Sequence, residues 1–191
     1  LNSLISLLMN KQNFYDLNFD QLKNFLIEKA EIEDKKAKMR AQQMFNAVYK
    51  KNIKNFDELT TFGLELREKI KNLISLEKPK IIDIQKSKDG TIKFLLELKD
   101  KRNVETVLIP DKSQSRYTIC LSVSVGCYLS CEFCATAQIS KKLVRNLTPG
   151  EIISQIILCK DYIDDWSTQK KITNQVLMGE GSPFLNLDNV K

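Results

Sequence analysis

The 191-residue sequence contains no histidine. An imidazole therefore cannot supply a ligand to a zinc site in this chain. The sequence also lacks any apolar run near the roughly 18 to 20 residues that a membrane-spanning helix requires, so no membrane partner is expected. The apolar Leu1–Met9 segment has neither the basic start nor the cleavage site of a signal peptide.

The composition indicates a soluble globular protein with a modest basic excess. Hydrophobic residues make up 42% and charged residues 28% of the chain, and 30 basic against 24 acidic residues give a net charge of +6. A basic excess favours a polyanionic partner such as nucleic acid, although a lysine-rich solvated surface gives the same excess. The excess is concentrated at Lys35–Arg40 and Lys69–Lys71.

What the sequence does contain is a group of three cysteines, Cys127, Cys131 and Cys134, spaced C-x3-C-x2-C. Three thiolates this close can hold one face of a [4Fe–4S] cluster and leave its fourth iron without a protein ligand. Zinc is a weaker alternative, because it requires four ligands and both Cys120 and Cys159 lie outside the short spacing. A disulfide with a spare thiol is the third interpretation. Reduced thiols at cluster spacing favour the cytoplasm.

The first part of the chain, residues 1–78, is predicted to be a small helical accessory domain. Asn18 or Asp20 can cap its first amphipathic helix. A second helix is expected from about Lys35 to Lys51, and a third segment opens at Phe56. The apolar faces of these helices are expected to form the core, and the polar faces are the candidates for RNA contact.

Residues 79–112 are predicted to form a three-stranded β-meander, in which an Asp89-Gly90 turn joins the first two strands. Pro110 ends the third strand. Glu105 stands inside that apolar strand, where the pattern alone favours a side chain that faces solvent. The three strands are expected at Ile81–Lys86, Thr91–Leu98 and Val104–Ile109.

Residues 113–191 show the order strand, loop, helix, strand that is typical of a βαβ unit. Apolar residues alternate with small polar ones from Tyr117 to Val125, which predicts a strand with Cys120 on its polar face. Thr148 and Glu151 form a capping box before a long apolar helix. A second strand is expected at Gln175–Met178, followed by a Gly-x-Gly turn that is a weak signal by itself.

The residues around the cysteines resemble a known family. An aromatic residue, Phe133, precedes the last cysteine, as in radical S-adenosylmethionine (SAM) enzymes. The flanking residues are similar to those of the adenosine C2 methyltransferases of 23S rRNA and tRNA, whose close relatives methylate C8. The resemblance covers essentially the whole chain, which corresponds to the first half of a family member. The flanking segments are Arg116–Cys120, Val125–Cys127, Ala135–Gln138 and Arg145–Leu147.

The resemblance implies a role for individual residues. Cys127, Cys131 and Cys134 become the ligands of the [4Fe–4S] cluster. Glu105 becomes the proton acceptor at adenine C2, and Cys120 the thiol that forms a disulfide with a distal, methyl-carrying cysteine. The segment Gly179, Glu180, Gly181 and Ser182 corresponds to the family's contact with the amino group of SAM. That family segment reads Gly-Met-Gly-Glu-Pro, so Ser182 stands here at the glutamate position, and an extended chain would turn Glu180 the other way.

The expected fold class is therefore α/β: a partial radical SAM (β/α) barrel at 113–191, preceded by the helical domain and the meander. The expected function is methylation of adenosine C2 through a methyl-cysteine intermediate, with 23S rRNA and also tRNA as substrates. An electron donor such as flavodoxin, a monomeric state and inactivity of these residues alone are further expectations. The alternatives are a C8 methyltransferase, a non-enzymatic RNA-binding module stabilised by a metal, and a radical SAM enzyme with a small-molecule substrate.

Overall fold

The computed structural model describes residues 11–111, 115–129, 131–139 and 145–191. The chain separates into two compact units, with the division between Glu77 and Lys78. The sequence predicted this boundary after residue 78. The first ten residues, which fall in the predicted helical domain, lie outside the described residues, as do 112–114 in the polar loop before residue 116.

The first unit is built from helices, as predicted. Its first helix begins with a reciprocal cap: the Asn18 side chain accepts a hydrogen bond from Gln21 N, and the Gln21 side chain accepts one from Asn18 N, both at 2.9 Å. Fully buried side chains that include Leu22, Leu26 and Met44 form its core. The helices are α1 (Phe19–Glu28), α2 (Asp34–Tyr49) and α3 (Leu64–Leu73), with a short parallel ladder of β1 (Gln12–Asn13) and β2 (Ile74–Ser75).

The second unit is a mixed α/β structure around one five-stranded sheet. The sheet strands are β3 (Lys80–Lys86), β4 (Ile92–Glu97), β5 (Asn103–Asp111), β6 (Arg116–Cys120) and β9 (Ile172–Val176). They lie in the order β3-β4-β5-β6-β9, in which the first four strands are antiparallel neighbours and β9 runs parallel to β6. The meander therefore continues directly into the βαβ unit. A separate ladder pairs β7 (Ser124–Val125) with β8 (Arg145–Asn146), and the helices are α4 (Ala135–Ile139), α5 (Pro149–Ile163) and α6 (Leu187–Val190).

The crossover helix α5 is specified by local sequence and by packing. Thr148 Oγ1 accepts a hydrogen bond from Glu151 N at 3.2 Å, and the Glu151 carboxylate accepts one from Thr148 N at 3.0 Å. Arg145 also binds Glu151 through two bonds of 2.7 Å each. The buried core of this unit joins α5 to the sheet and contains Phe94, Leu96, Val104, Leu108, Ile119, Ile152 and Cys159. No helix within the described ranges is both long and apolar enough to cross a membrane.

The alternating pattern overestimates the length of β6. The regular strand ends at Cys120, although the alternation of apolar and polar residues continues to Val125. The small polar residues of this segment are also buried, since Ser122 and Ser124 are both almost inaccessible to solvent. Their hydroxyl groups donate to the carbonyl oxygens of Glu105 and Gly126, each at 2.5 Å, which satisfies them without solvent.

Candidate active site

Two irregular segments run side by side beyond the carboxyl ends of the parallel strands β6 and β9. Gly179 N donates to Leu121 O, and Val123 N donates to Glu180 O, each at 2.9 Å. In α/β proteins the chemistry collects at this end of the strands. These segments contain or adjoin nearly all of the residues that the sequence singled out.

The two glycines of the predicted SAM-binding segment are required by close packing. A Cβ atom on Gly179 would stand 2.8 Å from the main chain of Leu121. Gly181 has a φ of +90°, and a Cβ atom there would lie 2.0 Å from Ser124 Oγ. The glycines therefore allow one strand-end segment to approach the other, which is a structural requirement in addition to any role in binding a ligand.

Glu180 directs its carboxylate toward the loop that begins the cysteine motif. Gly126 N donates to Glu180 Oε2 at 3.4 Å, and the main-chain N–H of Glu105 also donates to this carboxylate. Burial raises the pKa of Glu180, and the negative charge of Glu105 raises it further, while the main-chain N–H groups of Gly126 and Glu105 offset part of the increase. The expectation that an extended chain would turn Glu180 the other way from position 182 was wrong, because side chains two residues apart in an extended chain lie on the same face.

Glu105 lies in the middle of β5 and its side chain is 43% exposed. Its carboxylate forms an ion pair with Lys93 Nζ at 2.9 Å on the neighbouring strand. The main chain of Glu105 is held more tightly than its side chain, since its carbonyl accepts from Ser122 and its N–H donates to Glu180. The partial exposure leaves the carboxylate accessible to a substrate.

Cys120 is the last residue of β6 and lies between Val107 of β5 and Val176 of β9 in the sheet. Burial raises the pKa of its thiol, and the main-chain N–H of Met178 offsets part of that increase. The thiol therefore faces the strand-end segment that follows β9. All five cysteines are free thiols, and the described residues contain no disulfide.

The three cysteines of the motif lie on the segment between β7 and α4. Cys127 is buried and accepts a hydrogen bond from Leu129 N at 3.3 Å, whereas Cys131 and Cys134 are half-buried. The main-chain N–H of Ala137 holds the pKa of Cys134 below its ordinary value, and Thr136 makes smaller contributions in the same direction. The carboxylate of Glu180 acts in the opposite direction. Glu180 is thus electrostatically coupled to the cysteine loop.

The types of side chain in this loop suit an iron–sulfur cluster, but their positions in the structure do not form a cluster site. Three thiols within eight residues and no histidine are a suitable set of sulfur donors. Within the part of the chain that the structure describes, however, no three His, Cys, Asp or Glu side chains are arranged to hold a metal ion. The three thiols are therefore present in the loop, but the described structure does not arrange them as ligands of one metal ion.

Several residues that support the site were not singled out from the sequence. Gln155 of α5 and Asn186 are buried amides that bind the main chain of the segment after β6. Lys93 is the ion-pair partner of Glu105. One signal could have identified Gln155: it is a polar residue inside the run Ile152–Ile157, where apolar side chains are expected to face the sheet.

Comparisons with known proteins place these observations in one family. Residues 12–76 match the family model for the "Ribosomal RNA large subunit methyltransferase N-terminal domain". The chain is 40% identical over 175 residues to the "Dual-specificity RNA methyltransferase RlmN" of Oleidesulfovibrio alaskensis, an alignment that covers 92% of this chain and 47% of the relative. The chain is thus similar to members of this methyltransferase family over nearly its whole length. It spans about half the length of the curated relatives it matches.

Two further proteins are similar to this chain in sequence or in structure. The enzyme of the same name from Parvibaculum lavamentivorans is 41% identical over 172 residues, covering 84% of this chain and 42% of the relative. The "radical SAM methyltransferase from Sphaerobacter thermophilus", a solved crystal structure, superimposes with a TM-score of 0.78 at 30% identity. That match covers 94% of this chain and 50% of the other, and it supports the expected mixed α/β fold.

Proposed function

We propose that this chain forms part of a radical SAM enzyme that methylates C2 of an adenosine in 23S rRNA, with tRNA as a second substrate. The observation that carries the proposal is the grouping of Glu105, Cys120 and Glu180 with the cysteine loop at the carboxyl ends of β6 and β9. The printed names of the relatives, which are RNA methyltransferases, support the choice of substrate.

In this proposal the thiolates of Cys127, Cys131 and Cys134 hold a [4Fe–4S] cluster, and SAM binds beside it. When bound, these cofactors supply the radical chemistry, and the protein supplies position and electrostatics. The chain's own contribution to SAM binding is the segment Gly179–Ser182. The carboxylate of Glu180, which is oriented by Gly126 N–H, supplies the negative charge that Ser182 does not.

Glu105 is proposed as the group that accepts the proton from adenine C2. Its carboxylate is partly exposed and lies on the strand next to Lys93, so a bound adenine could approach it from solvent. Cys120 is proposed as the thiol that forms a disulfide with a methyl-carrying cysteine and so releases the product. Cys159 cannot be that partner, because it lies on the buried face of α5 and belongs to the core.

The first unit is proposed to bind the RNA. The exposed lysines of α2, Lys35, Lys36 and Lys38, can contact phosphates and position the substrate without reading its sequence. A low-potential electron donor such as flavodoxin, a monomeric state and a cytoplasmic location complete the proposal.

The decisive experiment uses a full-length protein that contains these residues, reconstituted anaerobically with iron and sulfide and supplied with SAM, a reductant and 23S rRNA. Mass spectrometry of the digested RNA is expected to show 2-methyladenosine. If the product is 8-methyladenosine instead, the chain is part of a C8 methyltransferase. Stoichiometric zinc, retained RNA affinity and no SAM cleavage would overturn the proposal in favour of a metal-stabilised RNA-binding module.

A further inference from the structure

The segment after β6 is held by a buried amide instead of a regular strand ladder. Gln155 is fully buried, and its side-chain amide forms two bonds of 2.9 Å with Ser122: its oxygen accepts from Ser122 N, and its nitrogen donates to Ser122 O. The side chain of Gln155 thus imitates the hydrogen bonding of a neighbouring strand at this residue. Position 122 is consequently fixed relative to α5.

The hydroxyl group of Ser122 joins the two other segments of the site. It donates to Glu105 O at 2.5 Å and accepts from Glu180 N at 3.0 Å. One side chain therefore links the main chains of the proposed proton acceptor and of the proposed SAM-binding segment. These contacts span 17 and 58 residues of sequence.

Gln155 reaches the same strand by a second route. Its side-chain oxygen also accepts a hydrogen bond of 2.6 Å from Thr106 Oγ1, and Thr106 is fully buried next to Glu105. The Glu105 carbonyl group and the Thr106 side chain therefore both belong to one hydrogen-bond network, and they flank the Glu105 side chain along the strand. Buried networks in which every member is satisfied hold a single geometry, because breaking any bond leaves a buried polar group unpaired.

We infer that Gln155, acting through Ser122 and Thr106, is a positioning residue that fixes Glu105 and Glu180 relative to each other for the methyl transfer. The inference rests on the proposed function. Gln155 touches no reacting atom, so its effect is expected in the turnover step and not in RNA affinity. Residues that orient a functional group in this way commonly change activity about 10- to 100-fold when they are removed.

The test uses full-length protein and pairs each removal with a conservative change. Ser122→Ala, Gln155→Leu and Thr106→Val each delete hydrogen bonds of the network, and each is expected to lower kcat about 10- to 100-fold with little change in the KM for RNA. Thr106→Ser keeps the hydroxyl group and is expected to restore turnover. Ser154→Ala is the matched control, because Ser154 lies beside Gln155 and its buried hydroxyl has no hydrogen-bond partner among the described residues.

A second readout requires no activity. Hydrogen exchange of the Glu180 amide is expected to accelerate selectively in Ser122→Ala, since that amide loses its acceptor. The inference is overturned if the Glu180 amide stays protected, or if the kcat losses follow thermal stability in every variant, Ser154→Ala included. A wild-type enzyme without methylation would instead contradict the proposed function, and exchange would still decide whether the network orders this segment.

Discussion

The two halves of the candidate site are organised in opposite ways. The segments after β6 and β9 are joined by hydrogen bonds between residues far apart in sequence, such as Glu180 N to Ser122 Oγ. Beyond Gly126, the bonds of the cysteine loop that can be described are local, such as Cys134 N to Cys131 O at 3.0 Å. The loop also exposes large apolar side chains, with Phe133 92% exposed and Tyr128 66% exposed.

This difference shows which part of the site the protein can order by itself. The strand ends use buried amides and hydroxyls, which hold their geometry without a ligand. In the described part of the cysteine loop the thiols are not arranged as a metal site. Metal binding commonly supplies the free energy that orders such a loop, because the ligand side chains are brought together only when the metal binds.

The largest effect is expected from the loop cysteines. Replacing Cys127, Cys131 or Cys134 by alanine should abolish cluster binding and reduce methylation to background, because two thiolates cannot supply the three ligands required. Iron and sulfide analysis after anaerobic reconstitution measures this directly. Cys159→Ala is the matched control and should retain full iron content. A full complement of iron in any of the three loop variants would contradict the assignment.

A smaller but clear effect is expected where the strand ends touch. Gly181→Ala should lower the free energy of unfolding by roughly 1–3 kcal/mol, since its Cβ atom would overlap Ser124 Oγ. In a Ser124→Gly background Gly181→Ala should cost less than in the wild type, because the overlap is gone; the Ser124 hydrogen bond to Gly126 O is absent from both members of that comparison. Gly63→Ala, where no atom lies within 4 Å, is the control in urea denaturation. Equal losses for Gly181→Ala and Gly63→Ala would show that the close contact has no energetic consequence.

The helix that carries Gln155 provides the next test. Thr148→Ala removes the side-chain cap of α5 and should cost about 1 kcal/mol of stability. Thr148→Ser keeps the capping oxygen and should cost much less. Chemical denaturation of both variants separates the cap from the loss of a methyl group. The interpretation fails if the two substitutions are equally destabilising.

The effect that is smallest near neutral pH is at Cys159, the thiol that belongs to the core and not to the loop. Burial raises its pKa from 9.0 to about 12, so folding favours the protonated thiol. The stability that this adds is complete below pH 9.0 and is lost as the pH rises toward 12. The free energy of unfolding should therefore fall more steeply with pH in the wild type than in Cys159→Ala. Parallel curves across this range would contradict the prediction.

Local patterns were sufficient to predict much of the second unit. The three meander strands and the capped helix α5 have signals within a few residues, and they form as expected, except that β5 continues through Pro110 to Asp111. The strand after α5 also forms, but it begins at Ile172 and ends at Val176, earlier than predicted. The end of β6 was not predictable from alternation, because Ser122 is buried by partners on β5, α5 and the segment after β9. The expectation for Glu180 failed for a different reason: a period of two places residues 180 and 182 on the same face, and does not turn one of them away.

The amino-acid sequence by itself indicated the family resemblance, the order of helices and strands, and the spacing of three sulfur donors, since each of these depends on residues close together along the chain. Only the tertiary structure decided which groups share the site. Gln155, Ser122, Glu105 and Glu180 meet because the parallel pairing of β6 and β9 and the packing of α5 bring distant residues within hydrogen-bonding distance. Such contacts leave no periodic trace in the sequence, because their energy arises only when separate elements are buried together.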